Sequence, residues 1–174
     1  MKSGRPMTKK ASPKPKNVVV FDLAGMKCAI PSPRLREVVL MPLLTRGPGL
    51  PSILEGIMNI EGEAVAVLRL DRLFGLPEKK PDLYTPLLVL KGTEIPVALL
   101  VDRVQEVSAV GDDDIMPFNG DDAFNGCIEA ELTKDGKTIH LLSVDHILLE
   151  REQRCIAEFH AVEQERLGRL DGAT

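Results

Sequence analysis

The sequence predicts a mainly β fold in which two small five-stranded β-barrels pack together, with short helices and one C-terminal helix. Three observations carry this reading. Ten short apolar runs have strand length and β-branched enrichment, several are joined by glycine-bearing turns, and the chain repeats its own plan once along its length.

The runs fall at 18–23, 28–30, 38–41, 57–60, 64–68, 87–90, 95–101, 106–110, 128–132 and 138–142. Between several of them, Ala24-Gly25, Glu61-Gly62, Lys91-Gly92 and Asp135-Gly136 offer the positive φ that a tight hairpin needs, so antiparallel hairpins are expected. Helix signals are few. Ser32-Pro33 has the residues to cap a turn through Arg36, the serine accepting a main-chain N–H and the proline supplying a helical φ. Leu70 to Phe74 makes one turn and stops at Gly75. From Val144 onward the chain suits a longer, interrupted helix, with Leu149, Ile156, Phe159, Leu167 and Leu170 near one face and Glu163 breaking the stripe. That face either docks on the body or meets a partner.

The repeat runs strand, x-Gly turn, strand, apolar-x-Glu-Val, strand. It occurs at 18–41 with Leu35-Arg36-Glu37-Val38 and again at 87–110 with Val104-Gln105-Glu106-Val107. Each copy leads on to a hairpin and a short helix that contain Asp71 in the first half and Asp145 in the second. Five strands per half suit a closed or nearly closed barrel better than a sandwich. The expected organisation is a basic disordered tail at 1–16 and one domain at 17–149, followed by a helical extension at 150–174. Within the domain, two pseudo-repeated subdomains at roughly 18–75 and 87–149 have room to exchange strands.

With 174 residues, 44% apolar and 28% charged, the chain is long enough for one ordinary domain or two small barrels. It has no run of ~18 apolar residues to span a membrane, and its basic N-terminus lacks the apolar core of a secretion signal, so a cytoplasmic protein is expected. Cys28, Cys127 and Cys155 are odd in number and far apart, which argues against a disulfide framework or a thiolate zinc site. Residues 1–16 hold six basic residues and no acid, leaving the remainder with 16 basic and 26 acidic residues, a net charge of −10. The body therefore repels nucleic acid, and only the tail offers an electrostatic arm for RNA, DNA or an anionic membrane.

Catalytic residues are missing. His140, His146 and His160 have no metal-ligand spacing, and the Asp145-His146 pair comes with no nucleophile-elbow serine. The clusters Asp112-Asp113-Asp114 and Asp121-Asp122 lack the calcium-loop pattern, no glycine-rich phosphate loop is present, and the aromatic content of 3% leaves little surface for stacking bases. No enzyme activity, cofactor, metal or small-molecule substrate is expected. What stands out is the irregular loop at 43–54, where Leu43, Leu44, Leu50, Ile53 and Leu54 share two glycines and two prolines. These side chains either await a partner or plug a barrel end.

Five segments make the sequence resemble the CheW-like family of bacterial chemotaxis coupling proteins, from about Val18 to Leu149. They are Val-Val-Phe-Asp-Leu-Ala-Gly (19–25), Arg-Glu-Val-Val (36–39), Leu-Pro-x-Ile-x-x-Gly-Ile-Met-Asn-Ile-Glu-Gly (50–62), Leu-Phe-Gly (73–75) and Leu-Leu-Val-Asp-Arg-Val-Gln-Glu-Val (99–107). The resemblance implies paired SH3-like barrels without enzyme activity. It also implies an adaptor that bridges a CheA-type histidine kinase and the cytoplasmic tip of chemoreceptors, recruited to membrane-associated arrays. The family's receptor-binding positions correspond to Leu35, Glu37, Glu61 and Val107, and its kinase-binding positions to Leu43, Leu44, Pro51, Ile53 and Gly56.

Two positions depart from the family pattern. Asn59-Ile60-Glu61-Gly62 has an acid where the family usually has arginine, and Leu68-Arg69-Leu70 has a base where it has aspartate. A compensating Arg69–Glu61 pair is one hypothesis for this double exchange. The alternatives to chemotaxis coupling are an adaptor of a related non-flagellar chemosensory kinase pathway, such as surface motility, and a small-barrel nucleic-acid binder.

Overall fold

The computed structural model describes residues 17–117 and 126–172; the basic tail at 1–16 and the Asp121-Asp122 pair lie outside them. Among the described residues the strands are β1 (Asn17–Leu23), β2 (Met26–Pro31), β3 (Leu35–Leu40), β4 (Leu54–Ile60), β5 (Glu63–Arg69), β6 (Pro86–Leu90), β7 (Val97–Leu100), β8 (Arg103–Ala109), β9 (Ile115–Pro117), β10 (Ile128–Lys134) and β11 (Lys137–Leu142). They form a five-stranded sheet in the order β3-β6-β7-β5-β4 and a six-stranded sheet in the order β8-β1-β2-β11-β10-β9. Each repeat unit feeds both sheets. The first gives β1 and β2 to one and β3, β4 and β5 to the other; the second gives β6 and β7 to the five-stranded sheet and the rest to the six-stranded one.

The hairpins form where the glycine turns stand. Ala24 and Gly25, Glu61 and Gly62, and Asp135 and Gly136 all have positive φ at both central positions, the turn whose twist matches a two-residue hairpin. At Lys91-Gly92 only the glycine does (φ 78°), and a longer connection follows before β7. The five-stranded barrel closes through the chain beyond β3, where Thr45 and Ile57 exchange main-chain bonds of 2.8 and 2.9 Å.

Strand runs read as continuously apolar because both of their faces are buried. In β5, Val65 and Val67 point into the five-stranded barrel, while Ala64, Ala66 and Leu68 point into a core shared by both barrels. In β1, Val18 and Val20 fill the six-stranded barrel, and Val19 and Phe21 enter the shared core. That shared core, completed by Leu88, Leu99, Val144 and Ile147, forms a seam that welds the two barrels into one unit.

One expectation about helices needs correction, and the strand count gains one member. The turn at Ser32–Arg34 is a single 3-10 turn with Pro31 at its N-cap and no side-chain cap, because Ser32 lies inside the turn and Leu35 is already extended. From Val144 the helical stretch is interrupted, as the sequence suggests: a 3-10 turn at Val144–His146 and a non-helical link at 147–149 precede α2 (Glu150–Gly172), the other helix being the single-turn α1 (Leu70–Leu73). The additional strand, β9, has three residues directly after the acidic turn Asp112–Asp114. Helix α2 docks on the body. Ile156 is fully buried in the shared core, Phe159 and Leu167 pack against it, and Glu163 is only 5% exposed, with Arg166 Nη1 3.5 Å from its carboxylate.

Candidate partner-binding surfaces

The positions matched to receptor binding lie on sheet edges. Leu35 stands opposite Leu90 on edge strand β3 and packs against the shared core. Val107 stands opposite Val19 on edge strand β8, on the seam-facing side of the other sheet, and is 64% exposed. Between Leu35 and Glu37 the register shifts, and Arg36 bonds Glu37 at 3.3 Å and Glu63 at 3.1 Å. Glu63 follows the turn that carries Glu61, so Arg36 ties β3 to the tip of the β4–β5 hairpin. Glu61 itself is exposed at φ 51°, in a turn locked by the Gly62 N–H donating to Asn59 Oδ1 at 2.7 Å. The structure thus brings Leu35, Glu37 and Glu61 to one end of the five-stranded barrel. Val107 belongs to the other barrel, exposed on the seam-facing side of its edge strand.

The positions matched to kinase binding divide by burial. Leu43 is 96% exposed. Leu44 packs into the interior of the five-stranded barrel, Ile53 and Leu50 pack against the shared core, and Pro51 is half-buried. Leu54 is core, and Gly56 is buried beneath Leu44, where an added Cβ would lie 2.8 Å from Leu44 Cβ. The 43–54 loop is therefore part plug and part surface. Leu40, Leu83 and Tyr84 are also exposed, and with Leu43 they flank the 2.8 Å bond from Met41 N–H to the Thr85 carbonyl. The sequence reading missed these three, although the single tyrosine in an otherwise polar, proline-bearing stretch was a usable signal.

Arg69 and Glu61 do not pair, which corrects the compensation hypothesis. Arg69 ends β5 and Glu61 lies in the turn before it, eight residues away and about 26 Å along the strand. Arg69 is 3% exposed and bonds Asp71, Glu55 at 2.9 Å and the Lys79 carbonyl at 3.0 Å. These partners raise its affinity for a proton further above an already high value. The exchanged base is a buried clamp that holds β5, β4 and the chain after α1 together.

Asp145 and His146 do not act as a pair. Asp145 accepts a 3.0 Å bond from Arg34, which lowers its pKa, and His146 Nδ1 lies 2.8 Å from Ser143 Oγ. Arg34 also reaches the carbonyls of Lys91 and Gly92, tying the β2–β3 turn to the loop after β6. Nearby, a cavity of about 300 Å³ opens into the seam between Leu90, Val97, Val144 and Ile147. None of the residues matched to partner binding lines it; its floor is core, and Thr93, Glu94, Asp145 and Gln153 stand on its walls. Among the described residues no group of His, Cys, Asp and Glu is arranged to hold a metal, and no helix is long and apolar enough to cross a membrane.

Comparison with known proteins matches residues 17–152 to the CheW-like domain. The chain is 23% identical over 133 residues to a chemotaxis protein CheW from Thermotoga maritima, covering 76% of this chain and 87% of that protein. It is 26% identical over 98 residues to a chemotaxis protein CheW from Bacillus subtilis, covering 56% of this chain and 63% of that one. Among solved structures it superposes on the scaffolding protein TtCheW from Thermoanaerobacter tengcongensis with a TM-score of 0.68 and 25% identity, over 80% of this chain and 91% of that one. With a paired-barrel fold, a shared core and a family match over most of its length, the chain belongs to the CheW-like family, whose members are scaffold proteins rather than enzymes.

Proposed function

We propose that the chain is an adaptor that couples chemoreceptors to a CheA-type histidine kinase at the cytoplasmic face of receptor arrays. The observation that supports this reading is one welded body with exposed apolar anchors on different barrels: Val107 on the six-stranded barrel and Leu43 on the five-stranded one. An adaptor that holds two partners at once converts separate weak contacts into a stable array by raising effective concentration. Leu35 and Val107 supply the apolar receptor contact, with Glu37 and Glu61 choosing among receptors; Leu43, backed by Leu44, Pro51 and Ile53 over Gly56, presents the kinase contact.

The test is a pull-down from native cytoplasmic and membrane fractions with the full chain, its Val107→Lys variant and its Leu43→Lys variant. Recovery of a receptor and a histidine kinase, with Val107→Lys losing the receptor alone and Leu43→Lys losing the kinase alone, supports the reading. Recovery of nucleic acid, or of neither partner by a folded chain, overturns it.

A further inference from the structure

Beyond the edges of the sheet, helix α2 takes over a task that strands perform elsewhere. The β5–β7 ladder begins only at Ala66, which stands opposite Val97. Toward the hairpin tip, β7 offers nothing to the main-chain groups of Ala64 and Gly62. Side chains of α2 fill that gap. Gln164 accepts from the Ala64 N–H at 2.8 Å and donates from Nε2 to the Gly62 carbonyl at 2.9 Å, and His160 Nε2 donates to the Ala64 carbonyl at 2.9 Å. These are the bonds a neighbouring strand would make, supplied by one face of a helix.

The gripped residues flank Glu61 and Glu63. Gly62 is the second residue of the Glu61 turn, and Glu63 carries the ion pair to Arg36. We propose that Gln164, assisted by His160, is a positioning residue for receptor recognition: it fixes the tip of the β4–β5 hairpin so that Glu61 is presented to the receptor in one orientation. This rests on the adaptor reading and on Glu61 belonging to the receptor contact. An exposed charge on a free hairpin tip samples many orientations and loses ordering entropy on binding, whereas a tip held from behind loses less.

The full chain and its Gln164→Ala, Glu61→Ala and doubly substituted variants are co-sedimented with washed native membranes bearing the chemoreceptors, and titrated in parallel with the purified regulatory domain of the kinase. Gln164→Ala is expected to weaken membrane binding about 3- to 10-fold, on the scale of one or two hydrogen bonds. Kinase affinity stays unchanged, and the effect vanishes in the Glu61→Ala background because Gln164 acts through Glu61. Amide exchange is expected to rise at 61–64 and not in β1 or β6. Ile156, Phe159 and Leu167 keep the helix docked, and His160→Ala repeats the test should Gln164→Ala loosen α2 as a whole. Faster exchange with unchanged membrane binding, or equal loss in both backgrounds, overturns the inference. If Glu61→Ala alone binds membranes as the wild type does, the placement of Glu61 in the receptor contact fails instead, and the inference fails with it.

Discussion

Arg69 and Asp71 meet in a two-point ion pair, Nε to Oδ1 at 3.1 Å and Nη2 to Oδ2 at 2.8 Å, both side chains almost wholly buried. Burial by itself pushes the Asp71 carboxyl up. The bonds and charge of Arg69, with the N–H groups of Lys79 and Arg72, outweigh it and hold the carboxyl below its ordinary value. Glu55 is lowered in the same way by Arg69 and Arg46. Removing Arg69 leaves Asp71 in the interior without its cation, while Glu55 keeps Arg46 at 2.6 Å, so Arg69→Met is expected to cost about 3–5 kcal/mol at neutral pH, measured by urea unfolding. The pH dependence changes sign as well. In the native chain the two depressed carboxyls contribute stability that is present above about pH 4 and lost as pH falls through their folded values. In Arg69→Met the unpaired Asp71 carboxyl rises, and stability falls as pH increases from the ordinary carboxylate value of about 4 up through the raised folded value.

Gly56 is fixed by space. A Cβ there would stand 2.8 Å from Leu44 Cβ and 3.1 Å from the Thr45 carbonyl, at the point where the five-stranded barrel closes. Gly56→Ala is expected to destabilise by about 1–3 kcal/mol through overpacking. Gly168 in α2 has nothing within 4 Å, so Gly168→Ala is expected to stabilise by up to about 1 kcal/mol through helix propensity. Thermal melts of the two variants should move in opposite directions.

Glu61 places a negative charge at an exposed edge where the family pattern has a positive one. On the proposed adaptor reading, a receptor that contacts Glu61 is expected to present a basic residue opposite it. Glu61→Arg should weaken binding to native receptor membranes several-fold, and the difference between variant and wild type should shrink between 50 and 300 mM salt, concentrations chosen to bracket the screening range. Stronger binding by Glu61→Arg would assign an acidic residue to the receptor instead.

The three cysteines differ in reactivity. Burial pushes the thiols of Cys28 and Cys127 up to about 12, while Cys155 is exposed on α2. At pH 8 a thiolate-specific reagent is expected to label Cys155 alone in the folded chain and all three in urea. Mass spectrometry of the labelled peptides checks this directly.

The barrels were legible because burial on both faces wrote itself into β1, β5 and β6 as unbroken apolar runs, and because three x-Gly pairs occupy turns that need positive φ twice. β9 was not, since three residues ending in proline leave no periodicity to read. The docking of α2 was hidden for a different reason. Its docking face includes Gln164, His160 and the nearly buried Glu163, polar residues whose partners belong to distant segments, so a hydrophobic stripe could not reveal it. Of the positions singled out through resemblance, Leu43 and Val107 stand exposed. The Arg69 cluster was half visible: Asp71 lies two residues on, but Glu55 approaches only through the β4–β5 pairing.

The interlacing of the two sheets sets an order for biosynthesis. Residues 35–100 contain every strand of the five-stranded barrel, so that barrel can close as soon as they have left the ribosome. β1 and β2 emerge first, but β2 needs β11, more than a hundred residues later, as its parallel neighbour. The N-terminal hairpin must therefore wait with Val18 and Val20 uncovered until the chain is almost finished. Slow steps and early losses to aggregation should concentrate in the six-stranded barrel, and a stalled chain ending near residue 100 would present one finished barrel beside an open, adhesive hairpin.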